Sequence, residues 1–190
     1  MSDSRIVVLY GSLRADAMSR RIAEAAAAAA PAGVDVVVYD GLGEVPFYNE
    51  DIDVADGLDP AAAALREAVA AADAVLLVTP EYNGTIPAVL KNAIDWLSRP
   101  FGAGALAGRH VAVISASPSP NGAAWAQADT AKAVGVARGV VHDDLGLTVG
   151  KTIEKFGAEH PREHAEFADE LRAVINGLVA ASRRELLPVR

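Results

Sequence analysis

Four short apolar runs, Ile6–Tyr10, Val34–Tyr39, Ala74–Thr79 and His110–Ser115, punctuate the chain, each of strand length and rich in branched aliphatic residues. Alanine-rich stretches of helical length lie between or beside them: Ser19–Ala30, Pro60–Ala72 and Pro87–Leu97. Alternation of this kind predicts βαβ units around a parallel sheet, and strands that are apolar almost throughout predict that both sheet faces are covered. Further on, Ala123–Arg138 reads as another helix, a fifth strand is expected within Gly139–Val149, and Pro161–Leu187 reads as a long closing helix. In that helix Phe167, Leu171, Val174, Leu178 and Val179 fall on one stripe at three- and four-residue steps.

The expected fold is therefore α/β: a flavodoxin-like three-layer sandwich with a five-stranded parallel sheet in the order 2-1-3-4-5 and helices on both faces. No linker, repeat or low-complexity tract divides the 190 residues, so one domain over 1–190 is expected. Apolar residues make up 52% of the chain but aromatics only 5%, so alanine and valine must fill the core and the helices must pack close to the sheet.

In folds of this type ligands bind outside the carboxyl ends of the strands, where the strand order reverses. That rule selects the loops after the first, third and fourth strands, "GSLRADAMS", "PEYNGTI" and "ASPSPNG", and all three are polar. In the first, Gly11 permits a sharp turn, Ser12 offers a hydroxyl, Arg14 a planar fork of donors, and Ser19 stands where a helix N-cap belongs. Free amides at a helix start, together with the macrodipole, favour an anion there, and Arg14, Arg20 and Arg21 form a local basic cluster. The loop has neither G-x-x-x-x-G-K-[ST] nor G-x-G-x-x-G, so a single terminal phosphate is a better expectation than a nucleoside triphosphate or a dinucleotide.

In the second loop Pro80 ends the strand, Asn83-Gly84 makes a tight turn, and Pro87 is placed at the first helical position. Backbone groups between the two prolines lack a partner within secondary structure, which suits a flat heteroaromatic ring with donors and acceptors on its edge. Tyr82 would supply an apolar wall; Glu81 and Asn83 would fix the loop or the ring edge.

Charge and composition then narrow the function. A formal charge of −8 argues against general nucleic-acid binding, and any anion site must be local. The absence of cysteine removes disulfides, thiolate metal sites and thiol catalysis. No basic leader with an apolar core opens the sequence and no apolar run is long enough to span a bilayer, so a soluble cytoplasmic protein without a membrane partner is expected. His160-Pro161-Arg162-Glu163-His164 matches H-x-x-E-H formally, but Pro161 starts a helix there and leaves His160 at its cap, off the face a metal would need. "GAGALAG" at 102–108 precedes a strand instead of following one and reads as a flexible connection; Asn49–Asp59 reads as a solvated acidic loop near the mouth of the site.

"GSLRADAMSRRIA" at Gly11–Ala23, "TPEYNGTIPAVLKNAIDWLSRP" at Thr79–Pro100 and "SASPSPNGAA" at Ser115–Ala124 together resemble the NADPH-dependent FMN reductase family, in its chromate and quinone reductase branch. The resemblance runs from about Arg5 to Arg138. It implies that Ser12, Arg14 and Ser19 hold the FMN phosphate, that Pro80, Glu81, Tyr82, Asn83 and Gly84 line the isoalloxazine, and that Ser117 lies near the ribityl chain and ring edge. It also implies a homodimer or homotetramer, NADPH or NADH as donor, and small-molecule acceptors such as quinones, chromate, azo and nitro compounds or flavin, reduced by a ping-pong mechanism in which the flavin carries the chemistry and no catalytic side chain is needed. The alternative is a flavodoxin-type electron carrier working with a protein partner.

Overall fold

The computed structural model of the protein describes residues 4–185. The sheet is built from β1 (Ser4–Tyr10), β2 (Val34–Val38), β3 (Ala74–Thr79), β4 (His110–Ala116), β5 (Val140–Val141) and β6 (Leu147–Val149). The helices are α1 (Met18–Ala28), α2 (Pro60–Ala70), α3 (Ala88–Leu97), α4 (Ala124–Val136), α5 (Thr152–Phe156) and α6 (Ala165–Glu185). Strand order is β2-β1-β3-β4-β5, every pair parallel, with β6 also on β4. The 2-1-3-4-5 order is as expected.

Alternate residues of the central strands point to opposite sides, which gives two cores. Ile6, Val8, Leu76, Val78 and Ile114 pack under α1 and α6, against Ile22, Ala26, Phe167, Leu171 and Ile175. Val7, Leu9, Val75, Leu77 and Val113 pack under α2, α3 and α4, against Leu65, Val69, Leu90, Ile94 and Val134. The five stripe residues of the closing helix are all buried, as their spacing requires. That helix starts at Ala165, after a 3-10 turn at Pro161–Glu163, and the end expected at Leu187 lies outside the described residues.

The single fifth strand is a correction. His142-Asp143-Asp144 is too polar to continue a buried edge, and a 3-10 turn at Asp143–Leu145 divides the strand into β5 and β6. Gln127 of α4 fastens this edge from the side: its side-chain amide donates to Val113 O of β4 at 3.0 Å and to Leu147 O of β6 at 3.4 Å. The 102–108 connection is also more ordered than expected. Leu106 is fully buried, its N–H donates to Leu97 O, and a Cβ on Gly104 would lie 2.3 Å from that same oxygen.

Asn49–Asp59 is likewise anchored, since Arg66 of α2 grips the Asp53 carboxylate with two bonds of 2.7 and 2.8 Å. The Arg66 hydrogen bonds hold the Asp53 carboxyl below the usual carboxylate range. A carboxyl with a depressed folded pKa contributes stability that is complete above its unfolded value of about 3.9 and is lost as pH falls through the folded value. Asp53→Asn is therefore expected to be about 1–3 kcal/mol less stable than wild type near neutral pH, with the gap closing in strong acid; urea denaturation across that range checks it, and a gap independent of pH would assign the loss to another cause.

Candidate functional site

The loops after β1, β3 and β4 meet at the carboxyl edge of the sheet. Gly11 makes this possible. Its N–H extends the ladder to Val78 O at 2.9 Å, and a Cβ there would lie 3.0 Å from Pro80 and 3.3 Å from Pro87. Ser12 is buried, accepts a bond from Arg14 N at 3.4 Å, and its Oγ lies 3.2 Å from the Tyr82 hydroxyl, which ties the first loop to the second.

Two adjoining spaces open here. A cavity of about 160 Å³ is lined by Ser12, Arg14, Ser19, Pro80, Glu81, Tyr82 and Ser117, with Ala17, Met18, Ala116 and Pro118 completing the wall. A second, more apolar cleft of about 420 Å³ is lined by Gly11, Ser12, Leu13, Arg14, Tyr82, Pro87, Ala88 and Val89. Ser12, Arg14 and Tyr82 border both, so a more polar and a more apolar space adjoin in one depression along these three side chains. A larger groove of about 480 Å³ lies elsewhere, between α3 and α4.

Ser19 does not cap its helix. Ala17 is the N-cap residue, makes no side-chain bond, and leaves Ser19 inside the first turn. The Ser19 side chain is consequently turned into the cavity wall, and its Oγ is buried with no hydrogen-bond partner. An unpaired buried hydroxyl costs about 1–3 kcal/mol, so its retention beside free helix-start amides and an exposed arginine marks a place for an anion. The basic cluster is smaller than the sequence suggests. Arg20 bonds Glu24 at 3.0 Å, and Arg21 donates to the carbonyls of Ala158 and Glu159, which leaves Arg14 as the guanidinium of this loop that lines the cavity.

In the second loop Tyr82 N donates to Thr85 O and Thr85 N to Tyr82 O, both at 3.2 Å, while Asn83 and Gly84 have φ of 53° and 76°. Two consecutive left-handed residues between paired flanks make the two-residue turn that Asn-Gly favours. Asn83 and Gly84 thus form the tip of the loop and do not line the 160 Å³ cavity, unlike Pro80, Glu81 and Tyr82. Pro87 stands one position earlier than expected, as the N-cap of α3.

Glu81 accepts a bond from Ala126 N at 3.2 Å, which supplies the start of α4 with the carboxylate that its own N-cap residue, Ala123, cannot provide. Thr85 donates to Asp129, so the second loop is fastened to α4 at two points, and Gly84 runs close beside the Trp125 ring, where a Cβ would meet it at 3.4 Å. In the third loop the Ser117 Oγ accepts a bond from Ser119 N at 3.1 Å and lies 2.9 Å from the Ser119 hydroxyl. Ser119 O receives Lys151 N and Ser117 O receives Thr152 N, so the segment after β6 supports this loop from below.

Tyr10, the last residue of β1, donates to Asp40 at 2.6 Å; burial and this bond push its phenol up to about 12, so it stays neutral. His160 is at the start of the 3-10 turn, where its Nδ1 accepts from Arg162 N, and its Nε2 lies 3.1 Å from Glu24. Burial pushes the Glu24 carboxyl up, but hydrogen bonds from His160 and Arg20 outweigh this and hold it below the usual range. Both groups belong to the packing of the 158–164 segment on α1.

Leu13 and Met18 also line the site and were not marked by the sequence. An exposed leucine beside a phosphate-type loop was the available signal for the first of these; nothing in the pattern pointed to the second.

The sequence model described as NADPH-dependent FMN reductase matches residues 4–153. The chain is 41% identical over 123 residues to the 2-hydroxy-1,4-benzoquinone reductase of a Burkholderia species, covering 65% of this chain and 66% of that one. It is 41% identical over 117 residues to the quinone reductase of Pseudomonas putida, 62% of each. The matches thus span 62–66% of the length of these curated relatives. Among solved structures, the FerB flavoenzyme NAD(P)H:(acceptor) oxidoreductase of Paracoccus denitrificans superposes with a TM-score of 0.83 at 28% identity, over 95% of this chain and 98% of that one. The family match begins with β1 and ends inside α5, and so takes in all three loops and the turn that supports the third: the chain belongs to the NADPH-dependent FMN reductase family.

Proposed function

We propose that the protein is an FMN-dependent NAD(P)H oxidoreductase that reduces small-molecule acceptors, with quinones as the leading class and chromate, azo and nitro compounds and free flavin as further candidates. The observation that carries this reading is the buried, unpaired Ser19 hydroxyl in the polar end of a depression whose other end is apolar. That polarity fits a ligand with a phosphate at one end and a planar ring at the other.

On this reading Ser12, Arg14 and Ser19 hold the FMN phosphate, Pro80, Glu81, Tyr82 and Ser117 flank the ribityl chain and ring edge, and Asn83 and Gly84 shape the loop that carries them. FMN held by these residues would supply hydride and electron transfer between a nicotinamide and an acceptor, the hydride's proton leaving with the acceptor or to solvent. The protein positions the cofactor and tunes it. The free amides at the start of α3 border the apolar cleft through Ala88 and Val89 and offer donors to negative charge developing on a ring edge. One donor and one acceptor sharing a single opening predict ping-pong kinetics, and NADH and NADPH are both admitted.

Arg14→Ala is expected to weaken FMN binding by about 1.5–3 kcal/mol, the range for a hydrogen bond to a charged group. Fluorescence titration of the flavin-free protein measures this, and an unchanged dissociation constant would remove Arg14 from the site. We further propose that a second copy covers the groove between α3 and α4. Its walls carry Lys91 and Asp95 on one side and Asp129 and Lys132 on the other, a charge pattern able to pair with itself in a homodimer or, repeated, a homotetramer. Sedimentation reporting the mass of a single chain would count against it.

A further inference from the structure

We propose that Phe47 is a specificity-determining residue that favours planar aromatic acceptors by stacking on them at the mouth of the apolar cleft; the inference rests on the flavin reading above. Phe47 is 79% exposed, and lone exposed apolar side chains are ordinary. What distinguishes Phe47 is that the backbone on both sides of it is fixed. Tyr48 N donates to the Asn92 side chain at 2.8 Å, the Asn92 amide donates to Pro46 O at 2.9 Å, and Trp96 Nε1 donates to the same carbonyl at 2.8 Å. Arg66, which grips Asp53, also donates to Trp96 O at 3.1 Å and stacks over the Trp96 ring, while Tyr48 meets that ring edge-on. Asn92 is 7% exposed and Trp96 fully buried. Buried polar groups are thus committed to holding an aromatic side chain out in solvent, an arrangement that completes the backbone ordering before any ligand arrives.

The position of the turn that carries Phe47 follows from α3. Val89, Asn92 and Trp96 lie at three- and four-residue steps on one face of the helix. Val89 lines the apolar cleft, and Asn92, which holds the Pro46–Tyr48 turn, is about 4.5 Å of helix rise further along. From the other side Leu13, also in the cleft wall and 67% exposed, leans on the Gly41–Gly43 turn, where a Cβ on Gly43 would lie 3.2 Å from it. The Gly41–Tyr48 segment is thus joined to the cleft wall at two places, through Leu13 at Gly43 and through Asn92, one helix turn beyond Val89. A flat apolar ring at such a rim gains by stacking on a flat aromatic guest and gains nothing from a compact octahedral anion.

The test uses the FMN-loaded full chain and two variants, Phe47→Ala and Phe47→Trp. The first readout is the ratio of kcat/KM for menadione to that for ferricyanide; the second, independent of turnover, is the dissociation constant of 7-hydroxycoumarin, a planar non-quinone, from quenching of its own fluorescence. Phe47→Ala is expected to lower the ratio and weaken coumarin binding by about three- to tenfold, with Phe47→Trp close to wild type in both. FMN-loaded protein in which neither quantity moves overturns the role of Phe47 alone, and a change in sedimentation instead would reassign Phe47 to contact between copies. A protein that takes up no FMN overturns the flavin reading and this inference with it.

Discussion

Removing two of the three side chains assigned to the phosphate, in an Arg14→Ala, Ser19→Ala double variant, is expected to weaken FMN binding by about 3–5 kcal/mol, roughly 10²–10⁴-fold. The sum falls short of two independent charged hydrogen bonds because both side chains serve one phosphate and so do not act additively. The Ser19 half of the change carries a second, opposite effect. Its hydroxyl is buried without a partner, so Ser19→Ala alone relieves an unsatisfied group and replaces it with a better helix former. Without flavin the single variant should be about 1 kcal/mol more stable than wild type and melt about 2–4 °C higher. With FMN in excess the order reverses. Paired calorimetry and FMN titration read both signs, and a serine kept for packing alone would move both in the same direction.

Trp96→Ala should produce the largest loss of stability, about 3–5 kcal/mol by urea denaturation. The indole is fully buried in the core beneath α2, α3 and α4, so truncation leaves a cavity of aromatic size. It also removes one of the two donors to Pro46 O, leaving only Asn92, and takes away the surface on which Arg66 and Tyr48 rest. Trp125, 65% exposed at the start of α4, is the internal control: Trp125→Ala should change stability by no more than about 0.5 kcal/mol. Equal losses at the two tryptophans would mean that the Pro46–Tyr48 turn is not held through Trp96.

These two cases also show what the sequence could and could not disclose. The strands, their order and both faces of helices were legible because burial on two sides forces continuous apolar runs, and a β-branched run of that length has few alternatives. The fifth strand was not, because a 3-10 turn at Asp143–Leu145 splits it and a side chain from α4, Gln127, ties β4 to β6 beyond the break. Seven of the nine proposed cofactor residues fall around one cavity, since loops at the strand ends are brought together by topology alone. The detail of those loops depends on tertiary contacts. Serine before a helix is favoured as a cap, yet here the cap position passes to Ala17 and the Ser19 hydroxyl faces the cavity.

The Thr79–Pro100 string hid a similar division of labour. Its first part shapes the cofactor loop, whereas Asn92 and Trp96 hold the distant Pro46–Tyr48 turn. Glu81, expected to fix the loop or the ring edge, also serves the start of α4, a contact between residues 45 positions apart that no local pattern announces.

The central claim is that this depression binds FMN for reduction by a nicotinamide, and an anaerobic visible spectrum of the FMN-loaded protein tests it most directly, recorded before and after NADPH and, separately, NADH. Flavin absorbance that bleaches rapidly with either nucleotide is the predicted result, and it would also identify the donor. Flavin that binds but stays oxidised with both would contradict the reductase in favour of an electron carrier, and protein that retains no flavin would contradict the assignment of the site itself.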